Sequence, residues 1–518
     1  MRRLLLATLI ALLTATVIEA SALEPLEADQ PAVPATRLDE LVLAALQAQG
    51  LQPAAPCSDA VFLRRVYLDM IGTLPTLREV QGFLADQRAD KRAALIENLF
   101  QREEFADYWS LKWCDLLRVK SEFPINLWPN AVQAYHRWVR DALDQNMPYD
   151  QFARALLTSS GSNFRVPTVN FYRAVQDRKP PGLAAAVTLT FMGTRLDRWP
   201  PDQQAQLAVF FSRVAYKKTG EWKEEIVYCD PTAAEPLAVT FPDGTTARIP
   251  PDQDPRVVFT DWLLAPNNQW FARAITNRVW SWFLGRGIIH EPDDIRSDNP
   301  PSNPELLAYL QKELVNSHYD LRHLYRLILN SRTYQQSCVP RSQDQQAEAL
   351  FAYYPVRRLD AEVLFDALAY LGGYGTEYSS IIPEPYTYVP RSRRTITLAD
   401  GSISSRFLEV FGRPARDTGL ESERNNQITD AQKLFLLNST DVQRRLEVSP
   451  VLRAVVAQAR KDVNKAIILT YAAVLSRHPT DSELTAAQSY FTQANNPGTA
   501  LQDLAWALIN SKEFLYRH

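Results

Sequence analysis

The stretch EEFADYWSLKWCDLLRVK, residues 103–120, carries the clearest information on how this chain folds. Phe105, Trp109 and Trp113 recur in it every four residues, which is the spacing of one face of an α-helix. Leu116 continues the same face. Large aromatic side chains in such a stripe pack most often in a core, although they also stack on sugar rings. The stretch therefore predicts a buried amphipathic helix, with carbohydrate contact as the alternative.

Helical patterns continue on both sides of this stretch. The predicted helices span 36–50, 59–70, 90–101, 130–146, 149–158, 257–264, 270–284, 302–315, 320–332, 358–371, 428–438, 460–476, 481–493 and 499–514. Thr76 with Glu79, and Ser302 with Glu305, have the spacing of helix-capping pairs, and Gly285 is placed to end a helix. The 17 glycines among 518 residues are about half the usual ~7%. Scarce glycine favours helices joined by proline-marked turns.

Residues 221–250 break the helical pattern. β-prone or alternating residues occupy 225–228, 239–241 and 245–249, and Asp243-Gly244 between the last two is a hairpin turn signal. This region predicts a small β-hairpin insertion.

The fold prediction is a mainly α, multi-helical two-part protein. An N-terminal helical domain is expected over 36–220 and a C-terminal helical domain over 254–518. Residues 221–253 are expected to form the β insertion or linker between them.

The first residues have the pattern of an export signal. Arg2 and Arg3 precede an apolar run over 4–18, and Ala20-Ser21-Ala22 offers the small-x-small pattern of a cleavage site. The run is shorter than the ~20 residues that span a bilayer. We therefore expect a signal peptide over 1–22 cleaved after Ala22, a disordered leader over 23–35, and a periplasmic or extracellular protein with no stable membrane anchor.

Charge and cysteine content narrow the classes of partner. The net charge of −3 gives no basic surface for nucleic acid. Cys57, Cys114, Cys229 and Cys338 are far apart, so C-x-x-C sites for zinc or covalent haem are missing. Four cysteines permit three disulfide pairings, and burial as small apolar side chains is an equal alternative. No metal site and no cofactor are predicted.

The segment HEPDD, residues 290–294, gathers potential acid/base groups. His290, Asp293 and Asp294 are candidate catalytic residues, and carboxylates at this density also suit an oxygen-rich metal site. A solvated turn after Gly285 is the structural alternative.

The helix that precedes this segment carries three candidate ligand-binding residues, Asn277, Arg278 and Trp280. Arg278 is placed to approach Asp293 or Asp294 and to form a buried polar network.

The segment RRLDAE, residues 357–362, is expected to open a helix with Asp360 near its N-terminus, where the helix dipole favours a carboxylate. Asp360 and Glu362 complete the set of candidate catalytic residues. Arg357 and Arg358 are candidate ligand-binding residues, because paired guanidinium groups bind anions, although helix capping and interdomain ion pairing are the more ordinary explanation. The Tyr-rich segment over 374–388 is a candidate surface for a carbohydrate or a secreted partner protein.

The order of several local strings resembles one family. RRVYLD (64–69), LPT (74–76), WCDLLR (113–118) and PYDQF (148–152) are similar to the planctomycete secreted cytochrome-associated domain (domain of unknown function 1549). NRVW (277–280), FLGRG (283–287), SNPELL (302–307), NSRTY (330–334), RRLDAE (357–362), FGRP (411–414), LNS (437–439) and NSKEFL (510–515) resemble its companion, the planctomycete secreted domain (domain of unknown function 1553). The resemblance implies secretion and a link to c-type cytochrome modules, and it implies no reaction.

This chain departs from the family pattern at the haem motif. Family members commonly carry C-x-x-C-H between segments like FMGTRL (191–196) and DRW (197–199), which here adjoin. Relatives also carry cysteines near a position equivalent to ESER (421–424), where this chain has none. The thiols and the imidazole that hold c-type haem are therefore missing.

Two functions follow from these observations. The first is a non-catalytic scaffold, which binds a ligand or partner and has lost the haem-attachment motif. The alternative is a secreted hydrolase acting on polysaccharide or a similar substrate. A cleft with two carboxylates ~5–10 Å apart would favour the hydrolase, and dispersed carboxylates paired with arginine would favour the scaffold.

Overall fold

The aromatic stripe of residues 103–120 lies inside the protein, as its spacing predicts. The computed structural model describes residues 25–28, 33–342, 344–383 and 387–518. Phe105, Trp109 and Trp113 are at most 3% exposed. The predicted signal peptide, with its cleavage after Ala22, lies outside the described residues, as do residues 23–24 and 29–32 of the predicted leader. In the described part of that leader, Glu27 forms a β-bridge with Cys57.

Helices account for most of the described chain, which confirms the mainly α prediction. The first ten are α1 (Arg37–Ala48), α2 (Asp59–Met70), α3 (Leu77–Ala85), α4 (Lys91–Phe100), α5 (Glu103–Leu116), α6 (Pro129–Asp144), α7 (Tyr149–Thr158), α8 (Asn170–Arg173), α9 (Pro180–Val187) and α10 (Pro201–Val209). A π-helical turn, Thr188–Met192, continues α9. Short 3₁₀ turns cover Pro167–Val169, Leu196–Arg198, Thr395–Thr397 and Glu421–Glu423.

The remaining helices follow the β region. They are α11 (Pro255–Leu263), α12 (Phe271–Leu284), α13 (Pro304–Asn316), α14 (Leu321–Leu329), α15 (Gln345–Ala349), α16 (Ala361–Gly372), α17 (Arg406–Val410), α18 (Asp430–Asn438), α19 (Thr440–Glu447), α20 (Pro450–Ala459), α21 (Val463–Leu475), α22 (Asp481–Gln493), α23 (Pro497–Ile509) and α24 (Lys512–Leu515). In the described part of the chain, no helix is both long and apolar enough to cross a bilayer.

Local capping chemistry sets many of the helix ends. Thr76 and Glu79 form the predicted capping box at the start of α3. Gly285 ends α12 in the left-handed conformation, with φ of 73°. The predicted cap at Ser302 is wrong by one residue, because the side chain of Asn303 accepts the hydrogen bond from the Leu306 amide.

The strands form small antiparallel sheets. A three-stranded sheet has the order β1 (Gly161–Ser162), β3 (Glu225–Cys229), β2 (Val214–Lys218). The hairpin predicted at Asp243-Gly244 is confirmed as β4 (Leu237–Thr240) and β5 (Thr246–Ile249), which pair in register from Leu237↔Ile249 to Thr240↔Thr246. The strand region therefore begins before residue 221, because β2 pairs with β3 along its whole length.

The helix predicted to begin at 358 begins instead at Ala361. Arg357 and Arg358 form strand β6 (Arg357–Arg358), which pairs with β7 (Tyr516–Arg517). A pairing between residues so far apart in sequence leaves no local pattern to detect. The strand pairing matters for function, because it holds the guanidinium groups of Arg357 and Arg358 against other parts of the protein.

One hydrophobic core runs through the described chain and includes residues on both sides of the β region. The Trp109 ring of α5 lies 5.5 Å from the Trp282 ring, 5.4 Å from the Phe283 ring and 4.5 Å from the Tyr325 ring, measured between centroids. Aromatic pairs at these separations contribute packing energy beyond their buried area. Early and late segments of the chain therefore stabilise each other directly.

Candidate functional site

Asp360 lies at the start of α16 with its side chain 1% exposed. One carboxylate oxygen accepts hydrogen bonds from the Lys112 ammonium at 2.9 Å and from the Arg517 guanidinium at 3.0 Å. Asn426 donates to the other oxygen at 2.9 Å. Burial alone would raise the pKa of Asp360, but Lys112 and Arg517 hold it well below its ordinary value. The carboxylate is therefore ionised, and both of its oxygens accept hydrogen bonds.

Glu362, two residues further along in the first turn of α16, has a side chain that is 0% exposed. Arg424 donates to its two oxygens at 2.7 and 3.2 Å, and Arg413 lies 3.3 Å away. Against the opposing effect of burial, Arg424 and Arg413 lower the pKa of Glu362 to about 2. A two-pronged arginine contact of this kind fixes the geometry as well as the charge.

Arg424 joins this carboxylate to a second helix. Its guanidinium also donates to Asp115 of α5 at 2.6 and 3.1 Å, and Arg416 reaches the other oxygen of Asp115 at 2.8 Å. Asp69 of α2 extends the same group of charges, since Arg517 lies 3.2 Å from it. We call the residues Asp69, Lys112, Asp115, Asp360, Glu362, Arg413, Arg416, Arg424 and Arg517 the buried ion cluster.

Sequence reasoning found Asp360 and Glu362 but missed the rest of the cluster. Lys112 and Asp115 flank the aromatic residue Trp113 of α5, and Asp69 lies between the apolar residues Leu68 and Met70 of α2. A charged residue between core residues is a signal of a buried partner. The identity of that partner depends on contacts between residues hundreds of positions apart.

The HEPDD segment forms a separate group. Asp293 is 1% exposed and lies 2.8 Å from Arg278, which confirms the approach that the sequence indicated. Asp294 pairs with Arg198 at 2.6 Å. His290 lies at the surface, and partial burial lowers its pKa.

Glu421 stands between the two groups. Its amide donates to Asp293 at 2.6 Å, and its carboxylate accepts from the Trp282 indole at 3.2 Å. Burial raises the pKa of Glu421 above its ordinary value, in spite of nearby Lys112 and Arg278. The recess beside Glu421, bounded by Lys112 and Arg424, has room for roughly one water molecule. An organic substrate does not fit there.

The five candidate ligand-binding residues all contact other groups of the protein. Asn277 exchanges two hydrogen bonds with the Ile289 backbone, at 2.8 and 2.9 Å. Trp280 is 0% exposed and packs on the Phe351 ring. The main contacts of Arg357 and Arg358 are backbone carbonyl oxygens: Arg357 donates to those of Trp282 and Phe283, and Arg358 to those of Phe411 and Asn425.

The matches to known families fall on both sides of the β region. Residues 37–216 match a family described as PSCyt2, protein of unknown function (DUF1549), and residues 255–491 match PSD1, protein of unknown function (DUF1553). This chain is a DUF1549–DUF1553 protein. These matches confirm the family resemblance that the sequence strings indicated. No curated protein and no solved structure matches the chain.

The buried ion cluster crosses between the two family regions. Asp69, Lys112 and Asp115 belong to the DUF1549 region, whereas Asp360 and Arg424 belong to the DUF1553 region. Lys112 of the DUF1549 region pairs with Asp360 of the DUF1553 region, and Asp115 of the first region pairs with Arg424 of the second. The cluster therefore joins the two regions by electrostatics as well as by packing.

Metal-binding side chains and thiols are two further kinds of reactive group. Within the described ranges, no set of three His, Cys, Asp or Glu side chains could hold a metal ion. The four cysteines are free thiols, and Cys57 and Cys114 are buried. Burial raises the pKa of Cys114 to about 12, so this thiol is a poor nucleophile at neutral pH.

Proposed function

We propose that this DUF1549–DUF1553 protein is an exported, non-catalytic scaffold that binds a ligand or a partner. The observation that carries the proposal is the pairing of the candidate carboxylates. Asp293 and Asp294 each contact an arginine, and Asp360 and Glu362 are each held by at least two cationic side chains. Carboxylates fixed in this way stabilise a fold and are not free to react.

The hydrolase alternative needs a carboxylic acid that is protonated near neutral pH and a second carboxylate on the other side of a substrate. The pKa values of Asp360 and Glu362 are both lowered, so neither can donate a proton at neutral pH. Glu421 has a raised pKa, but its recess is too small for a substrate. These features favour the scaffold over the hydrolase.

The segment where family members carry the haem motif supports a role without haem. The Ile295 amide donates to the Gly193 carbonyl at 2.9 Å, and the Trp199 indole donates to Thr194 at 3.0 Å. Leu196 between them is 4% exposed. The chain closes over this position with its own side chains, and no cysteine lies in the segment. The residues present do not fit a covalently bound haem.

Export is the part of the proposal that rests on residues 1–22. N-terminal sequencing of the protein recovered from the periplasm or the medium is expected to begin at Leu23. Recovery of chains that still begin at Met1 would contradict export with cleavage.

Activity profiling tests the non-catalytic role. Purified mature protein is incubated with soluble polysaccharides and chromogenic esters, and released reducing ends or chromophore are measured. We expect no rate above that of the heat-denatured protein. Turnover that is abolished in Glu421→Gln and retained in the exposed-site control Glu447→Gln would overturn the proposal.

A further inference from the structure

An open groove runs between helix α10 and the β4–β5 hairpin, away from the buried ion cluster. Its volume is about 330 Å³, which is at the lower end of the range of small-molecule sites. Gly244 stands at the tip of the hairpin, and a side chain built there would meet no atom within 4 Å. The mouth of the groove is therefore open at this end.

The walls and floor of the groove are apolar. Leu207 and Phe241 form the floor and are 1% and 9% exposed. The Trp199 ring forms one wall and is braced by Trp270, with 5.5 Å between ring centroids. Phe241 is braced in turn by stacking on Trp262 at 5.4 Å. The aromatic surfaces are held rigidly in place before any ligand arrives, which lowers the cost of binding.

The edge of the groove is polar without being cationic. Gln203 and Gln206, one turn apart on α10, line it and are exposed. Within the described part of the chain, neither amide is hydrogen-bonded to another protein group. Each amide offers donors and an acceptor side by side, which suits neighbouring hydroxyl groups that both donate and accept. Thr240 adds a further hydroxyl.

We propose that this groove binds a neutral oligosaccharide, an inference that rests on the scaffold function and names its ligand class. The apolar C–H face of a sugar ring packs on an aromatic surface such as Trp199, because the face of the ring system is electronegative. The hydroxyl groups around the sugar then reach Gln203 and Gln206. No lysine or arginine lines the groove, so its lining does not select an anionic ligand.

The one carboxylate of the groove supports binding and not cleavage. Asp243 accepts from the Trp262 indole at 2.8 Å through one oxygen, and from the Thr245 hydroxyl and amide at 2.6 and 2.9 Å through the other. The hydrogen bonds from Thr245 and Trp262 keep the pKa of Asp243 lowered although partial burial opposes them. Asp243 therefore orders the hairpin, and no second carboxylate lines the groove.

Calorimetric titration of the purified full-length mature protein tests the inference. The probes are cellohexaose, xylohexaose, mannohexaose and chitohexaose. We expect at least one to bind, and the double variant Gln203→Ala/Gln206→Ala to weaken that binding by about tenfold. The matched control is Gln133→Ala, an exposed glutamine of α6 outside the groove, which should leave the affinity unchanged.

Trp199→Ala is expected to weaken binding further by removing the stacking wall. The double glutamine variant changes only exposed side chains, so it remains informative if the tryptophan variant folds poorly. Failure of all four probes to bind at ~10 mM, or equal affinity in the double variant, overturns the groove assignment. Such a result leaves the scaffold function standing. Appearance of shorter sugars after incubation would contradict the scaffold function instead.

Discussion

Replacing Arg424 with methionine removes the guanidinium that holds two carboxylates at once. Its side chain is 6% exposed, and it contacts Asp115 at 2.6 Å and Glu362 at 2.7 Å. Methionine keeps most of the apolar volume, so the loss is mainly electrostatic. Glu362, which is 0% exposed, would keep only its contact with Arg413 at 3.3 Å. Removing one partner of a buried ion pair costs about 3–5 kcal/mol.

The lowered pKa of Glu362 makes part of this stability depend on pH. A fall from the ordinary 4.5 to about 2 in the folded protein corresponds to roughly 3 kcal/mol of stability. Because the folded-state pKa is depressed, this contribution is fully present above pH 4.5 and is lost as the pH falls through about 2. The difference between wild type and variant should therefore be largest at neutral pH and small near pH 2.

Thermal unfolding followed by circular dichroism measures the loss. Unfolding entropy of about 2.1 cal/mol/K per residue gives roughly 1 kcal/mol/K for a chain of 518 residues. A loss of ~3–5 kcal/mol then lowers the Tm by roughly 3–5 °C at pH 7. Arg424→Lys should fall in between, because it keeps the charge but loses the two-pronged contact.

Arg406→Met is the control, since Arg406 is an exposed arginine on α17. Its Tm should stay within about 1 °C of the wild type. Equal Tm values for Arg424→Met and Arg406→Met at pH 7 would refute the reasoning, because the buried carboxylates would then not depend on Arg424.

Three further outcomes are expected. Gly193 has φ of 61°, and a methyl group there would lie 2.9 Å from the Ile295 side chain. Thermal melting should therefore show a loss of stability of about 2–4 kcal/mol for Gly193→Ala, but only about 1 kcal/mol for the control Gly50→Ala, whose methyl group meets open space. Equal losses in the two variants would contradict this. Burial lowers the pKa of His136 to about 3, so the wild type should lose up to roughly 1.4 kcal/mol per pH unit as the pH falls from 6.5 towards 3. In acid unfolding, His136→Gln should make stability depend less steeply on pH, whereas substitution of the exposed His478 should leave that dependence unchanged. An unchanged pH dependence in His136→Gln would show that His136 is not its source. Protein made in a host with active cytochrome c maturation should show no Soret band and no haem-stained band at the mature mass, and a stained band would disprove the loss of haem.

The helices could be predicted because their information is local. The Thr76–Glu79 cap and the stop at Gly285 depend on residues within one turn, and both are present in the structure. Strand β1 could not be predicted in the same way, because two residues, Gly161 and Ser162, form it only by pairing with β3. The same reason explains the error at Arg357 and Arg358, whose strand exists only through residues 516–517.

The candidate site could be predicted only in part. The approach of Arg278 to Asp293 followed from the short separation of the two residues along the chain, and the structure confirms it. The partners of Asp360 did not follow, because Lys112 and Arg517 lie 248 and 157 positions away. Sequence patterns show that a charge is buried, but they do not show which distant charge compensates it.

The position of the buried ion cluster has a consequence for biosynthesis. Asp115 leaves the ribosome 309 residues before its partner Arg424, and Lys112 leaves it 248 residues before its partner Asp360. At ordinary elongation rates these intervals last roughly 12–60 s. Until the partners emerge, burying Lys112 or Asp115 would cost several kcal/mol per charge. The first half of the chain therefore cannot complete its core while it is being made. This delay agrees with the proposed export, because a chain that passes through a membrane pore must still be unfolded when it does so.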